Sequence, residues 1–94
     1  MAFNGYRNYE TWAFMLYFED YLFETLKEQQ EYNDEEITYS TVYETVEHIL
    51  DELSESVDRV EFGYPFIKDM LNAAFSEIDK KEISETILEM LKED

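Results

Sequence analysis

Carboxylates are the most abundant side chains in this sequence that could take part in chemistry. The 94 residues include 24 acidic and 7 basic side chains, which gives a formal net charge of −17 at pH 7. In two segments the acidic residues recur every three or four positions, so each set shares one face of a predicted helix, opposite an apolar face. The first acidic row is Glu44, Glu47, Asp51, Glu55 and Asp58, and the second acidic row is Glu82, Glu85, Glu89 and Glu93.

The sequence gives little support for catalysis. It has no cysteine to act as a nucleophile, and its one histidine, His48, lies on the polar side of a predicted helix among acidic residues. Two glycines are too few for a Gly-rich phosphate-binding loop. Glu19 falls on an apolar helix face, where a carboxylate needs a cation, a hydrogen-bond donor or a proton, and Arg7 is its expected partner. We predict that the protein is not an enzyme, with a catalytic Glu19 as the alternative.

A metal site is not predicted either. The acidic run Asp34, Glu35 and Glu36 lacks the alternating acidic spacing, the central glycine and the terminal glutamate of a calcium-binding loop. A thiolate zinc site needs cysteine, which this sequence does not contain. We therefore expect no metal and no other cofactor.

Composition indicates one folded domain over residues 1–94. Apolar residue types make up 45% of the chain, with 8 Tyr, 7 Phe and 1 Trp, which excludes a disordered acidic tail. The N-terminus lacks a basic segment followed by an apolar run, and no stretch approaches the ~20 apolar residues of a membrane span. The absence of cysteine fits a reducing compartment, so we expect a cytoplasmic protein.

Helix periodicity predicts an all-α bundle of about four helices. Asn4 and Gly5 are turn residues, and Asn8 can cap a first helix that runs from Tyr9 to about Gln29.

The second helix follows a polar connector at residues 30–40. It is expected to begin at Ser40 or Thr41, and a Thr41 cap would form a capping box with Glu44.

The third and fourth helices have clear start signals. Pro65 suits the first turn of a third helix that ends near Glu77, and its broad apolar face predicts the central, most buried element. Asp79 and Glu82 have the spacing of a capping box at the start of the fourth helix. A hydrophobic staple is predicted there between Ile78 and Ile83.

The first helix carries aromatic and other apolar side chains over more than half of its circumference. We expect Phe3 and Tyr6 to fold back over this helix and the rest to enter the core. The alternative is a surface for self-association or for a partner, because exposed Tyr and Trp side chains anchor interfaces. Tyr17 and Tyr21, on its acidic side, are the candidate contact residues.

Folding alone does not explain the two acidic rows. Exposed helix faces usually pair Glu with Lys at i and i+4, whereas Glu47 with Asp51 and Glu85 with Glu89 are like-charge pairs. Solubility or high salt is one explanation. Imitation of nucleic acid is the other, because carboxylates about 5 Å apart along a helix approximate the spacing of phosphates on a strand. The net charge excludes direct contact with nucleic acid or an anionic membrane and favours a basic partner.

Two segments resemble a family of small acidic proteins encoded by phages and plasmids. The segment YRNYETWAFMLYFED carries the family's Asn-x-Glu-Thr-Trp motif, and IKDMLNAAFSEIDKKEISETILEML is similar to its C-terminal part. The resemblance covers about half of the chain and implies a mobile element, where short acidic proteins often act against DNA-binding defence machinery. The matching residues are Asn8, Glu10, Thr11, Trp12, Leu16, Glu19, Asp20, Leu71, Asn72, Ala73, Ala74, Ser76, Glu77 and Ile83.

These observations predict an inhibitor, of the anti-CRISPR or anti-restriction type, that acts as a DNA mimic. It would bind the basic nucleic-acid-binding surface of a host CRISPR or restriction component through the two acidic rows, with Tyr17 and Tyr21 as anchors. The alternative is a non-mimic interaction module or a homodimer that uses the aromatic first helix, with acidity serving solubility.

Overall fold

The computed structural model describes residues 3–34 and 36–93, and its regular elements are four α-helices. The all-α prediction is therefore confirmed. In the described part of the chain, no helix combines the length and the apolar character needed to cross a membrane. The helices are α1 (Tyr9–Asn33), α2 (Tyr39–Val57), α3 (Tyr64–Glu77) and α4 (Lys80–Glu93).

Helices α1 and α4 lie side by side in the same direction, and α2 runs the opposite way. The N-terminal ends of α1 and α4 meet where the Asp79 backbone N–H donates to the Thr11 hydroxyl, and Lys27 and Leu91 border one cleft near their C-terminal ends. Leu53 of α2 lines a groove beside Phe14 of α1, whereas Ile49, one turn earlier, borders a cleft that includes Tyr21. Few residues separate the end of α1 from the start of α2, so α2 begins close to where α1 ends.

The core lies between α1, α2 and α4. Its completely enclosed apolar side chains come in pairs from these three helices. Helix α4 packs against both α1 and α2, so its apolar face is covered from two sides. The pairs are Leu22 and Leu26, Val42 and Val46, and Ile83 and Ile87.

The prediction that α3 is the most buried helix was wrong. Helix α3 contributes no buried residue; its Phe75 is half-buried against the core, and Phe66 and Met70 are exposed. The reason is that α1, α2 and α4 cover one another's apolar faces, so α3 packs on the outside of α1 and α2. A broad apolar face identifies a helix surface that is able to pack, but it does not say whether anything covers it.

The start of α2 differs from the prediction. Its N-cap is Thr38, whose side chain accepts a hydrogen bond from the Thr41 backbone N–H, so Thr41 is not the cap and its capping box with Glu44 does not form. Ile37 and Val42 are both buried at the two positions of a hydrophobic staple, which fixes the start of the helix at Thr38.

Helix α1 is longer than predicted. It continues past Gln29 to Asn33 and ends at Asp34, whose φ of 51° lies in the left-handed region. Asp tolerates this conformation better than most residues, so it can stop a helix where glycine is absent.

The N-terminal turn folds back onto α1 as predicted. Asn4 and Gly5 have φ angles of 47° and 90°, which match a type I′ turn, and the backbones of Phe3 and Tyr6 exchange two hydrogen bonds across it. The Phe3 ring centre lies 5.0 Å from that of Trp12, and Tyr6 packs against the core.

Candidate functional site

The first acidic row lies on the outer side of α2. Glu44, Asp51 and Glu55 are exposed, and no hydrogen bond or ion pair joins them to any residue that the structure describes. The opposite side of the helix carries Val42 and Val46, which are completely enclosed. The predicted separation of acidic and apolar faces is therefore confirmed for these three carboxylates.

The other two members of the first acidic row have cationic partners. The Glu47 carboxylate lies 3.3 Å from Lys80 Nζ. Asp58 follows the last residue of α2 and accepts hydrogen bonds from the Tyr64 hydroxyl and from Lys68 Nζ. These hydrogen bonds, that from Tyr64 above all, lower the pKa of Asp58. Glu47 and Asp58 are therefore not free of cations, contrary to the prediction of an unneutralised row.

The second acidic row lies on the outer side of α4. Glu85, Glu89 and Glu93 are exposed, and none of them pairs with a cation within residues 3–34 and 36–93. Glu82 is different, because it is half-buried and its carboxylate accepts a hydrogen bond from the backbone N–H of Arg7 at 3.0 Å. Three carboxylates of this row are therefore exposed and without an ion pair in the described chain, while Glu82 serves the fold.

The two acidic rows lie on neighbouring antiparallel helices, with a cationic cleft where the start of α4 meets α2. Lys80 lies between them, since its ammonium contacts Glu47 and stands 5.5 Å from the centre of the Tyr43 ring. Arg7 and Lys81 border the same cleft, so three of the 7 basic residues of the chain are found there. The negative field of the rows is consequently weakest around Glu47 and the start of α4. Because the two helices are antiparallel, Asp51 and Glu55 on α2 and Glu89 and Glu93 on α4 extend away from this cleft in opposite directions.

Tyr17 and Tyr21 are both exposed, but they lie on α1 and not between the acidic rows. Tyr17 is 78% exposed and borders an apolar groove between α1 and α3, which we call the α1–α3 groove. Tyr21 borders a different cleft with Glu52 of α2. The predicted contact residues therefore form two separate surfaces, one acidic and one aromatic. The residues that define the α1–α3 groove are Ala13, Tyr17, Leu53, Ala74, Phe75 and Ile78.

The predicted ion pair between Arg7 and Glu19 does not form. The Arg7 guanidinium lies 3.4 Å from the Asp79 carboxylate instead. Glu19 is half-buried near Tyr6, and the pKa of the Tyr6 hydroxyl is raised first by burial and then by the negative charges of Glu19 and Glu82. The sequence placed Glu19 inside the apolar arc with Arg7 as its partner, whereas the side chain is only half-buried and Arg7 pairs elsewhere.

His48 lies at the surface of α2. Its Nε2 atom is 3.1 Å from the Glu52 carboxylate, one helical turn further on, and both side chains are exposed. Within the described residues, no group of three or more His, Asp and Glu side chains is arranged to hold a metal ion. Of the acidic run considered for calcium, Glu35 lies outside the described residues.

Comparison with known protein families gives one match. A model described as "Family of unknown function (DUF7249)" matches residues 1–94, the whole chain. The chain belongs to this family. No curated protein and no solved structure matches it.

In this member of DUF7249, the Asn-x-Glu-Thr-Trp motif serves the fold. The Asn8 side chain accepts a hydrogen bond from the Thr11 backbone N–H and so caps α1, while its amide donates to the Glu77 carbonyl. The Thr11 hydroxyl, which is completely buried, accepts from the Asp79 backbone N–H at 2.9 Å. Trp12 packs against Phe3. The motif therefore joins the start of α1 to the junction of α3 and α4.

A matching set of contacts starts from α4. Asp79 caps this helix by accepting from the Glu82 backbone N–H at 3.0 Å, as the predicted capping box requires. Glu82 does not return the bond to Asp79 but accepts from Arg7 at the start of α1. Each helix thus uses its third residue, Thr11 or Glu82, to satisfy a backbone N–H at the start of the other helix. We call these five residues, Arg7, Asn8, Thr11, Asp79 and Glu82, the crossed capping network.

Proposed function

We propose that the protein is a phage- or plasmid-encoded inhibitor that occupies the nucleic-acid-binding cleft of a basic host protein, a CRISPR or restriction component. The observation that carries this proposal is a set of six exposed carboxylates on two neighbouring antiparallel helices, none of which forms an ion pair with another described residue. The six are Glu44, Asp51 and Glu55 on α2, and Glu85, Glu89 and Glu93 on α4.

The spacing of these carboxylates suits a surface that follows phosphates. Asp51 and Glu55, like Glu85 and Glu89, are separated by about 6 Å along the helix axis, and phosphates on one DNA strand recur every ~3.4 Å along the duplex axis. The charge density is lower than that of DNA but of the same order. A helix also holds its charges on a stiffer scaffold than a loop would.

Folding stability argues against a purely structural origin of the rows. Like charges at i and i+4 destabilise a helix by a few tenths of a kcal/mol for each pair, and Asp51 with Glu55 and Glu85 with Glu89 both have this spacing. No lysine forms an ion pair with these four carboxylates in the described chain, and Lys68 and Lys80 contact Asp58 and Glu47 instead. Both helices therefore retain like-charge pairs that lower their stability, as expected if these carboxylates bind a cationic partner.

Association with a basic cleft would be fast and sensitive to salt. Opposite potentials steer the encounter, and bound counterions are released when the surfaces meet. The screening length falls from roughly 14 Å at 50 mM salt to about 4 Å at 500 mM, so binding should weaken strongly over this range.

The test compares two variants of equal net charge. The row variant carries Asp51→Asn, Glu55→Gln, Glu85→Gln and Glu89→Gln. The control variant carries Asp20→Asn, Glu24→Gln, Glu28→Gln and Glu31→Gln, four exposed positions on α1. Each variant is titrated against labelled duplex DNA bound to purified restriction and CRISPR complexes, and displacement is followed by fluorescence anisotropy.

We expect the row variant to need an at least about tenfold higher concentration for displacement, and the control variant less than about twofold. Equal losses would mean that net charge alone acts, and no displacement by the unmodified protein from any complex would contradict the proposal. The alternative of an aromatic interaction module is favoured by the exposure of Tyr17 and Tyr21. It predicts instead that Tyr17→Ala with Tyr21→Ala abolishes activity while the row variant retains it.

A further inference from the structure

Helix α3 leaves a stripe of apolar side chains in solvent. Phe66 is 68% exposed and Met70 is 53% exposed, and with Ala74 they recur every four residues, so they share one side of the helix. Phe62, in the turn before α3, is 95% exposed. Folding alone places such side chains inside when an apolar surface is available to receive them.

This stripe leads into the α1–α3 groove. Ala13 of α1 and Ala74 of α3 are small, and they leave an open cavity of about 220 Å³ with Leu53, Phe75 and Ile78 along it. A dry apolar cavity of roughly 150 Å³ can hold a benzene ring, so this one has room for a leucine or phenylalanine side chain. Tyr17 stands at its edge with most of its ring in water.

The molecule exposes more surface than its mass requires. Its accessible surface is 6721 Å², whereas a folded monomer of 11.4 kDa is expected to expose about 5,800 Å². Its radius of gyration of 14.7 Å likewise exceeds the ~12.4 Å expected for this length. Exposed apolar side chains such as Phe66 and Met70 contribute to this excess.

Charge indicates what covers this surface. Glu10 lines the α1–α3 groove, Asp20 and Glu24 lie further along the exposed side of α1, and Glu77 is exposed at the end of α3. A second copy of the chain would bring another formal charge of −17 against this rim. A cationic partner would be attracted by the same acidic residues, because opposite potentials favour association.

We propose that the α1–α3 groove is a docking site for a basic amphipathic helix of a partner protein. Apolar side chains of that helix, at spacings of i, i+4 and i+7, enter the cavity and cover the α3 stripe, while flanking Lys and Arg side chains face the acidic rim. This inference does not rest on the nucleic-acid mimicry proposed above, since the groove lies on α1 and α3 and the acidic rows on α2 and α4.

The test uses three labelled 18-residue peptides and the intact protein. The first peptide carries Leu at helical spacing with Lys and Arg beside it. The second has the same composition, with its Leu residues spread around the helix. The third keeps the Leu pattern but carries Glu in place of the basic residues. Affinities are measured by fluorescence anisotropy at about 150 mM salt, where close ion pairs persist and charges farther apart than the ~8 Å screening length are largely screened.

Two exposed tyrosines provide a matched pair of variants. Tyr17 borders the groove and is 78% exposed, whereas Tyr32, near the other end of α1, is 81% exposed. Both variants should fold, because neither side chain is buried. We expect Tyr17→Ala to weaken binding of the first peptide about fivefold or more and Tyr32→Ala to leave it unchanged.

We also expect the first peptide to bind at least about tenfold more tightly than the second or the third. Equal binding of the first two peptides would overturn the inference, because charge alone would then be sufficient. Equal effects of the two Tyr variants would overturn the location.

A dimer of the unliganded protein in sedimentation velocity, dissociated by Tyr17→Ala, would show that a second copy occupies the groove. The row variant described above should bind the first peptide normally even if it fails to displace DNA, so the two proposals can fail separately.

Discussion

The crossed capping network and helix α3 adjoin each other in the chain, yet different forces hold them. The network uses specific hydrogen bonds to backbone N–H groups, and its central Thr11 is completely buried. Helix α3 relies on half-buried apolar contacts and has no buried residue. The comparison teaches that a few enclosed polar contacts can fix a junction, while an element without them keeps apolar surface available for binding.

Different interactions stabilise the two ends of α3. Asp58 accepts hydrogen bonds from Tyr64 and Lys68, and Lys68 also donates to the Tyr64 hydroxyl at 2.9 Å. Hydrogen bonding, from Tyr64 first, also raises the pKa of Lys68, so its ammonium stays protonated. These groups are exposed, and exposed ion pairs contribute little to stability. Both ends of α3 therefore have defined partners, but only the end near Asp79 is anchored by a buried one.

The largest effect should come from comparing one apolar truncation in α4 with one in α3. Ile87 is completely buried and Met70 is exposed. Ile87→Ala should lower the free energy of unfolding by about 2 to 5 kcal/mol because it leaves a cavity, and Met70→Ala by less than about 0.5 kcal/mol. Urea denaturation measures both. A comparable loss for Met70→Ala would mean that α3 is packed as firmly as the core.

The second prediction breaks the crossed capping network at its centre. Thr11→Val should lower the free energy of unfolding by about 1 to 3 kcal/mol, because the Asp79 backbone N–H would lose its acceptor in a partly buried place. The matched control is Thr45→Val on α2, where the hydroxyl donates to the Thr41 carbonyl of its own helix. The control should lose clearly less in the same urea titration. Equal losses would mean that the substitution acts through helix propensity and not through the network.

The third prediction concerns pH. The Glu82 backbone N–H and then Arg7 stabilise the charged form of Asp79 and hold its pKa below the ordinary value. A carboxyl group with a lowered pKa in the folded state adds stability above about pH 4, and this contribution disappears as the pH falls through the folded-state pKa. Asp79→Asn keeps a cap oxygen but removes the charge, so it should cost about 0.5 to 1 kcal/mol at pH 7 and nothing near pH 2.

Urea titrations of both proteins from pH 7 to pH 2 give this difference. The whole protein also loses repulsion between its many carboxylates on acidification, so only the difference between the two proteins reports on Asp79. A difference that does not change with pH would show that the charge of Asp79 adds nothing.

The smallest expected effect is a gain. Ser84 is completely buried in α4, and its hydroxyl has no hydrogen-bond partner in the structure as described. Ser84→Ala removes a desolvated polar group and improves helix propensity, so it should raise the free energy of unfolding by about 1 kcal/mol. A loss in thermal or urea unfolding would show that the hydroxyl is satisfied in solution.

Much of the fold could be predicted because its signals are local. The caps at Asn8 and Asp79 depend on residues within one turn, and the acidic and apolar faces of α2 follow from periodicity alone. The burial of α3 could not be predicted, because an apolar face is visible in the sequence whether or not a neighbour covers it. The cap at Thr38 was missed because the buried Ile37 that fixes it lies outside the helix pattern.

The candidate site shows the same division between local and distant information. The positions of the two acidic rows follow from helical spacing, but the partners of individual carboxylates can lie far along the chain. Lys80 is 33 residues from Glu47, and the Arg7 backbone N–H that donates to Glu82 is 75 residues away. The caps at Asn8 and Asp79 were both visible in the sequence, but a sequence pattern of this kind indicates only hydrogen bonds within one helix start. Their exchange of partners appears only when the two helix starts are adjacent in space.

The crossed capping network also constrains how the chain can mature. Thr11 and Asp79 are separated by 68 positions. The ribosome therefore releases Thr11 long before it releases Asp79, whose backbone N–H donates to the buried Thr11 hydroxyl. Until residue 79 has been synthesised, the Thr11 hydroxyl lacks the backbone N–H that donates to it in the folded protein. Contacts between such distant positions slow folding, and a shortened product that ends before residue 79 would expose an apolar helix to proteases and aggregation.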